Sequence, residues 1–194
     1  LIQAETLKTL NASLSHSAVT VLGFEAKDPG RYGRLITNDD NLKRIVEFKD
    51  ASDAEKSMNL CNSGVMAVAA PLLFELLSEI DNENASGEYY LTDIVAKAVA
   101  HGAVCKVVRC SESETLGVNS RVDLAQAEYE FQSQRRAEAL KNGVTMPAPE
   151  TVYFSFDTYI GRDAIVEQNV VFGPGVTVES GARIRAFSHL EGAH

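Results

Sequence analysis

The sequence lacks several features that would point to a particular class of protein. It has no tryptophan, and its 194 residues contain only three cysteines and four histidines. Cys61, Cys105 and Cys110 form no CxxC pair, and the histidines supply no zinc-ligand spacing, so we expect no structural zinc site. Unpaired cysteines in an odd number are typical of buried free thiols in a reducing compartment. We therefore expect a cytoplasmic protein without disulfides.

Basic charge and long apolar runs are also scarce. Eighteen basic residues face 27 acidic ones, for a formal net charge of -9. This balance argues against a nucleic-acid partner, which needs a clustered basic face, but a metal ion or one lysine can still bind an anionic small molecule. No apolar run approaches the roughly 18 residues of a membrane span. The N-terminal LIQAETLKTL also lacks the basic start and apolar core of a signal peptide.

What is present predicts an α/β domain at the N-terminal side. The content of 45% hydrophobic and 23% charged residues is typical of a soluble globular protein. Helical patterns cover residues 4–14 and 52–59 and the segments PLLFELLSEI and GEYYLTDIVAKAVAHG. Strand patterns cover AVTVLGFEA, SGVMAVAA and AVCKVVRC, with a hairpin around residues 38–41. Alternation of these lengths predicts a largely parallel sheet.

The C-terminal part of the sequence repeats every six residues. A large apolar residue recurs at Ile160, Val166, Phe172, Val178, Ile184 and Leu190. Neither a helix, with 3.6 residues per turn, nor a strand, with a period of 2.0, produces this spacing. A short strand followed by a corner does, if three such hexads make one coil of a solenoid. Ordinary antiparallel strands are the alternative, and six successive matches count against it.

A long polar helix is predicted between the two regions. Ser120 and Asp123 resemble a capping box that opens a helix over residues 121–141, and Asn142-Gly143 would end it. A helix that is polar on most faces is typical of a connection between domains, and the proline-containing MPAPET reads as a linker. We expect domains over residues 1–120 and 151–194, joined by a helix and linker over residues 121–150.

Four short motifs could each bind a ligand or serve the fold alone. They are Arg31-Tyr32-Gly33-Arg34, Glu47 in IVEFKD, Asn62-Ser63-Gly64 and Asn119-Ser120. The glycine could be a loop residue, the carboxylate a solvated strand position, and the two asparagines a turn and a helix cap. In isolation none of these motifs is specific for a function.

Taken in order, the motifs resemble one family. The segments DPGRYGRLI, IVEFKDAS, NSGVMA, GEYYLTDIVAKA and GVNSRVDLAQAE, followed by hexads, are similar to the bifunctional N-acetylglucosamine-1-phosphate uridylyltransferase / glucosamine-1-phosphate acetyltransferases. The resemblance implies the C-terminal part of a Rossmann-like nucleotidyltransferase domain. It further implies a long connecting helix and the first coils of a left-handed parallel β-helix, which in this family assembles as a homotrimer.

The resemblance also implies two reactions. In the first, N-acetylglucosamine-1-phosphate attacks UTP, giving UDP-N-acetylglucosamine and pyrophosphate. No protein nucleophile is needed, because positioning and Mg²⁺ carry the reaction. In the second, acetyl-CoA acetylates glucosamine-1-phosphate at a site on later coils, outside this sequence; we therefore assign no role to His189 or His194.

Carried over by position, the resemblance implies a set of sugar-nucleotide-binding residues, with Asn119 also an oxygen ligand of Mg²⁺ and Lys49 a weaker candidate for a phosphate contact. The set comprises Gly33, Glu47, Asn62, Tyr90, Thr92 and Asn119.

Parts of the family pattern do not occur in this sequence. The Gly-rich phosphate loop and the Gly-Asp-x-Pro motif with the second Mg²⁺ ligand are both missing, and the chain opens on Leu1. We therefore expect an internal piece that is inactive alone. One alternative is a non-catalytic chain that binds sugar nucleotide or scaffolds a trimer. Another is a different sugar-1-phosphate nucleotidyltransferase with a hexapeptide tail, against which GEYYLTD and GVNSR count.

Overall fold

The chain forms two compact units. The computed structural model describes residues 2–39, 41–118 and 120–194. Unit 1 comprises Leu1–Leu116 and unit 2 comprises Gly117–His194. Among the helices of these described ranges, none is long and apolar enough to cross a bilayer.

Unit 1 contains four helices and five strands in its described part. In chain order they are α1 (Ala4–Ala12), β1 (Val19–Glu25), β2 (Arg34–Asn38), β3 (Asn41–Val46), α2 (Asp53–Lys56), β4 (Leu60–Val68), α3 (Ala70–Ser78), α4 (Ile94–Ala100) and β5 (Cys105–Cys110). The predicted hairpin is confirmed as β2 and β3. The helix predicted from GEYYLTDIVAKAVAHG starts later than its pattern, because a 3₁₀ turn over Leu91–Asp93 precedes α4.

The sheet of unit 1 is mostly antiparallel, so the predicted largely parallel sheet is wrong. The strands close into a barrel in the order β1-β4-β2-β3-β5. Among the described pairings, β1 with β5 is parallel and the other four are antiparallel. Parallel neighbours need a crossover of a dozen or more residues. Only two residues separate β2 from β3, which allows a hairpin and nothing else.

The core of unit 1 holds the end of the hairpin beside the start of α4. Leu42 and Ile45 of β3 and Ile94 and Val95 of α4 belong to one buried cluster. Each fully buried aliphatic side chain of this size contributes about 1.5–3 kcal/mol. At the other end of α4, Gly102 has φ +80, and Ala103 N donates to Ala98 O at 3.0 Å. This is the glycine C-cap that the sequence predicts.

Unit 2 begins with a long helix and continues with six short strands. The helix, α5 (Arg121–Lys141), has the predicted bounds, and Ser120 and Asp123 form the predicted capping box. The strands are β6 (Tyr159–Ile160), β7 (Ile165–Val166), β8 (Val171–Phe172), β9 (Thr177–Val178), β10 (Arg183–Ile184) and β11 (His189–Leu190). Their starts are six residues apart, as the sequence period predicts.

Three hexads make one turn of unit 2. Each strand pairs in parallel with the strand eighteen residues further on: β6 with β9, β7 with β10, and β8 with β11. The corners recur every six residues with positive φ, at Asp163, Asn169, Gly175, Gly181 and Phe187. The inward positions between them are apolar, and Val166, Phe172 and Val178 are buried. Such coils bury their apolar residues by stacking on one another.

Polar contacts fasten α5 to the first coil. The side-chain amide of Gln132 is buried, donating to Phe154 O and accepting from Phe154 N, both at 2.8 Å. Arg136 Nε donates to Val152 O at 2.9 Å. The helix therefore satisfies main-chain groups of the chain segment that enters the coils, which explains why a helix so polar is ordered there.

Candidate functional site

The hairpin of unit 1 places Gly33 beside Glu47. Strands β2 and β3 are antiparallel, and Arg34 faces Val46. Gly33, which precedes Arg34, therefore lies beside Glu47, which follows Val46. A Cβ on Gly33 would lie 3.4 Å from both carboxylate oxygens of Glu47. The φ of Gly33 lies outside the left-handed region. Glycine at this position therefore provides space beside the carboxylate, rather than an unusual conformation.

Asn62 joins this pair through the next strand. β4 pairs with β2 at Cys61 and Arg34, and Asn62 N donates to Gly33 O at 2.8 Å. The side chain of Asn62 is buried, and its Oδ1 accepts from Gly64 N at 3.0 Å. Its Nδ2 makes no hydrogen bond to any residue that the structure describes. The amide oxygen thus fixes the turn, and the amide nitrogen has a donor capacity that the described residues do not use.

Thr92 and Tyr90 approach the same carboxylate from the segment before α4. Thr92 Oγ1 donates to Glu47 Oε1 at 3.0 Å. Tyr90 is half-buried and lines an open depression of about 210 Å³. The other residues that line it are Arg31, Glu47, Phe48, Lys49, Ser86 and Glu88. Lys49 Nζ donates to Ser86 Oγ at 2.9 Å, which holds the lysine at the rim.

The predicted sugar-binding residues that the structure describes therefore converge in unit 1. Gly33, Asn62 and Thr92 are each linked to Glu47 directly or through one contact, and Tyr90 shares its depression. Asn119, predicted as a further binding residue and as the Mg²⁺ ligand, lies outside the described residues. Its part in the site stays a prediction from the sequence.

Sequence reasoning missed the residue that fixes this arrangement, Arg34. Its side chain is only 1% exposed. The guanidinium donates to the main-chain carbonyls of Pro29 at 3.3 Å, Gly30 at 3.2 Å and Lys56 at 3.0 Å, and also to that of Tyr32. These bonds tie the loop before Gly33 to the end of α2. The sequence did offer a signal for this role, because an arginine at the start of a buried strand needs hydrogen-bond acceptors close by.

Unit 1 contains buried thiols and, next to Thr92, a carboxylate with a perturbed pKa. Burial raises the pKa of Cys105 and of Cys110 to about 11, so both are neutral thiols at pH 7 and unsuited to nucleophilic chemistry. The cysteines are free, as the sequence predicts. Asp93, next to Thr92, has a raised pKa because of its burial and, secondarily, the negative charge of Asp81.

The arrangement suits recognition of a polyhydroxyl ligand, in a depression lined by two basic and two acidic residues. A carboxylate held by a threonine can accept from sugar hydroxyls, and an asparagine amide can donate to them. Arg31 and Lys49 add positive charge at the rim. The site thus provides groups that bind and orient a ligand, without an activated nucleophile among them.

Comparison with known proteins gives a consistent family. The chain matches no family model. It is 61% identical over 193 residues to a "Bifunctional protein GlmU" from Cereibacter sphaeroides, covering 100% of this chain and 42% of that protein. Proteins of the same name from Roseobacter denitrificans and Jannaschia sp. are 58% and 53% identical, over 100% and 98% of this chain and 43% and 42% of their own lengths.

Comparison with solved structures gives matches of low similarity. A nucleoside-diphosphate-sugar pyrophosphorylase from Vibrio cholerae is 11% identical, with a TM-score of 0.45 over 65% of this chain and 49% of that chain. An inositol-1-phosphate CTP transferase from T. maritima is 21% identical, with a TM-score of 0.47 over 69% and 51%.

The curated relatives decide the class of protein, because their identity exceeds half over essentially the whole chain. They are bifunctional proteins of one name, and the motif order had indicated this same group. The chain belongs to the GlmU family. It spans somewhat more than two fifths of the length of these relatives.

Proposed function

We propose that unit 1 supplies the sugar-binding part of a uridylyl-transfer site. The parent protein would join N-acetylglucosamine-1-phosphate to the uridylyl group of UTP, releasing pyrophosphate and giving UDP-N-acetylglucosamine. The observation that carries the proposal is that Gly33 and Thr92 lie against the Glu47 carboxylate, while Asn62 is hydrogen-bonded to the main chain of Gly33. These residues come from four separate segments, each singled out beforehand by its sequence motif.

Glu47 is the central group of the proposed site. Thr92 occupies Oε1 with a hydrogen bond of 3.0 Å, which fixes the carboxylate and leaves its remaining lone pairs for sugar hydroxyls. Charge-assisted bonds of this kind contribute about 1.5–3 kcal/mol each. The Asn62 amide would donate to the sugar, and the main chain at Gly33 would approach it closely.

The rim of the depression would orient the rest of the substrate. The Tyr90 ring would line the N-acetyl side, where an apolar face suits a methyl group. Lys49 would contact the phosphate as a point charge, and Arg31 adds a second positive charge to the same rim. Holding the sugar phosphate in line for attack is the contribution that these residues would make to the rate.

Mg²⁺ is the cofactor that we propose for the parent. Asn119 would give one oxygen ligand, and an aspartate of a Gly-Asp-x-Pro motif the other. Mg²⁺ keeps several waters and needs few protein ligands. When bound, it would neutralise charge between the phosphates.

For unit 2 we propose the first coils of a left-handed parallel β-helix, following a Rossmann-like nucleotidyltransferase domain. Parallel pairing at an eighteen-residue offset supports it. We retain the proposed domains over residues 1–120 and 151–194, with the helix and linker over 121–150 between them. The parent would be a cytoplasmic homotrimer whose acetyl transfer, from acetyl-CoA to glucosamine-1-phosphate, takes place on residues outside this chain.

The test is Glu47→Gln in a full-length protein that contains this segment. We expect the KM for N-acetylglucosamine-1-phosphate to rise roughly tenfold or more, since a lost charge-assisted bond exceeds the 1.4 kcal/mol of one decade. The KM for UTP and the acetyltransferase rate should not change. Glu179→Gln, at an exposed position of unit 2, is the matched control. An unaltered sugar-phosphate KM in Glu47→Gln would remove the proposed contact.

A second experiment addresses this chain by itself. We expect no pyrophosphate release from UTP and N-acetylglucosamine-1-phosphate, because the sequence holds no Gly-rich loop to bind the triphosphate. Turnover by the 194-residue chain, measured by a coupled phosphate assay, would contradict this expectation.

A further inference from the structure

We propose that unit 1 carries a second, separate cation site that binds Zn²⁺ through Glu75, Glu79 and His101. One ligand atom from each of these residues lies within 4.8 Å of the other two. His101 Nε2 is 2.9 Å from Glu79 Oε1, and His101 Nδ1 is 4.0 Å from Glu75 Oε1. None of the three belongs to the sugar site, so the two sites are independent proposals.

The sequence brings these residues together through the ends of two helices. Glu75 and Glu79 are one turn apart on α3, which places them on the same face. Glu79 is the C-cap residue of α3, and His101 is the C-cap residue of α4. The three side chains therefore meet where the C-terminal ends of both helices meet.

The electrostatics of this point favour a cation. The C-terminal end of a helix carries partial negative charge, so carboxylates placed there are destabilising. The last turn of α3 contains no basic residue. Lys97, in the last turn of α4, lies 3.4 Å from Asp81. Two carboxylates thus lie at negative helix ends with an imidazole beside them, and a bound divalent cation would offset that charge.

The donor atoms fit zinc better than a hard cation. Zn²⁺ binds imidazole nitrogen and carboxylate oxygen at about 2.0–2.2 Å, which separates neighbouring ligand atoms by about 3.3 Å in a tetrahedron. The 2.9 Å between His101 Nε2 and Glu79 Oε1 needs only a small expansion to reach that separation. An imidazole binds a metal through one nitrogen only, so with Zn²⁺ on Nε2 the Glu75 carboxylate, now 4.0 Å from Nδ1, would have to rotate toward Nε2; its side chain is 63% exposed and has room to do so. Mg²⁺ and Ca²⁺ prefer oxygen ligands only.

Calorimetric titration of the metal-stripped 194-residue chain with zinc chloride tests the site. We expect one Zn²⁺ per chain, with at least tenfold weaker binding in His101→Gln and in Glu79→Gln. His16→Gln, at an exposed histidine elsewhere in unit 1, is the matched control and should bind as the unaltered chain does. Circular dichroism would verify that each variant is folded.

A second readout separates a metal site from a simple ion pair. Zinc should raise the Tm of the unaltered chain and of His16→Gln, but not that of His101→Gln. Absence of zinc binding, or undiminished binding in His101→Gln, would show that the cluster is an ion pair only. Tighter binding of Mg²⁺ than of Zn²⁺ would also overturn the proposal.

Discussion

The two units of this chain are stabilised by contacts of different range. In unit 2 each strand pairs with the strand eighteen residues ahead, and the same inward positions recur in every coil. In unit 1, strand β1 pairs with β5, where Val19 faces Cys105 from the other end of the unit. A period can specify unit 2, whereas unit 1 depends on contacts between distant segments.

The buried polar groups of the two units also have different structural roles. In unit 2, Gln132 closes the main chain around Phe154, and Thr158 Oγ1 accepts from Ser155 N at 3.0 Å. In unit 1, Arg34 holds the loop before Gly33, and the Asn62 amide nitrogen makes no hydrogen bond to a described residue. Buried polarity completes the fold in unit 2 and prepares a binding site in unit 1.

The largest expected effect is the loss of a core ring in unit 2. Phe172 is 2% exposed and packs on Phe154, with ring centroids 5.6 Å apart. We expect Phe172→Ala to lower the free energy of unfolding by about 3–5 kcal/mol, as for other core phenylalanines. Leu190→Ala, at the half-buried equivalent position in the next coil, should cost clearly less. Urea unfolding followed by circular dichroism measures both; equal losses would contradict the stacked-coil account.

The corresponding substitution in unit 1 removes a charge rather than a ring. Arg34→Met would leave several main-chain carbonyls without donors, at a cost of about 3 kcal/mol. Arg34→Lys retains the charge but makes fewer hydrogen bonds, so its free energy of unfolding should lie between those of Arg34→Met and the unaltered chain. The same unfolding experiment applies, and Arg34→Met as stable as the unaltered chain would refute the role assigned to this guanidinium.

Glycine substitutions sharpen the contrast at a smaller scale. Gly33→Ala should lower affinity for N-acetylglucosamine-1-phosphate about tenfold, because the added methyl group would cover the Glu47 oxygens that the sugar would contact; stability should be nearly unchanged because the φ of Gly33 is ordinary. Gly181→Ala in unit 2 should leave the affinity unchanged and lower the stability, because Gly181 has φ +73. No atom lies within 4 Å of the added Cβ, so the loss would come from the backbone conformation. Ligand titration paired with thermal unfolding checks both; a Gly33→Ala chain with full affinity would remove the spatial argument.

The smallest predicted effect concerns pH. Burial raises the pKa of Asp93 in the folded chain, so the folded state holds this proton more tightly than the unfolded state does. Its contribution to stability therefore falls as pH rises from the ordinary aspartate pKa through the raised value. Asp93→Asn should remove that loss and be relatively more stable at pH 7 than at pH 3. Tm measured against pH tests the sign, and an unchanged profile would contradict it.

The sequence predicted the features that depend on local contacts and missed those that depend on contacts between distant segments. The hexads and the helix Arg121–Lys141 have the expected positions, because local spacing and caps determine them. The direction of the sheet in unit 1 was wrong, because alternation of helices and strands does not specify which strands become neighbours. The site residues came from motif order, yet Arg34 was missed, since its role is visible only through the carbonyls that it joins.

The most direct measurement of the central claim is a ¹⁵N NMR titration of this chain with N-acetylglucosamine-1-phosphate. We predict saturable shifts of the Gly33, Asn62 and Thr92 amides, with at least tenfold weaker binding in Glu47→Gln. Glu179→Gln, on an exposed position of unit 2, should titrate as the unaltered chain does. Shifts confined to unit 2, or none at millimolar ligand, would contradict a sugar-phosphate site built around Glu47.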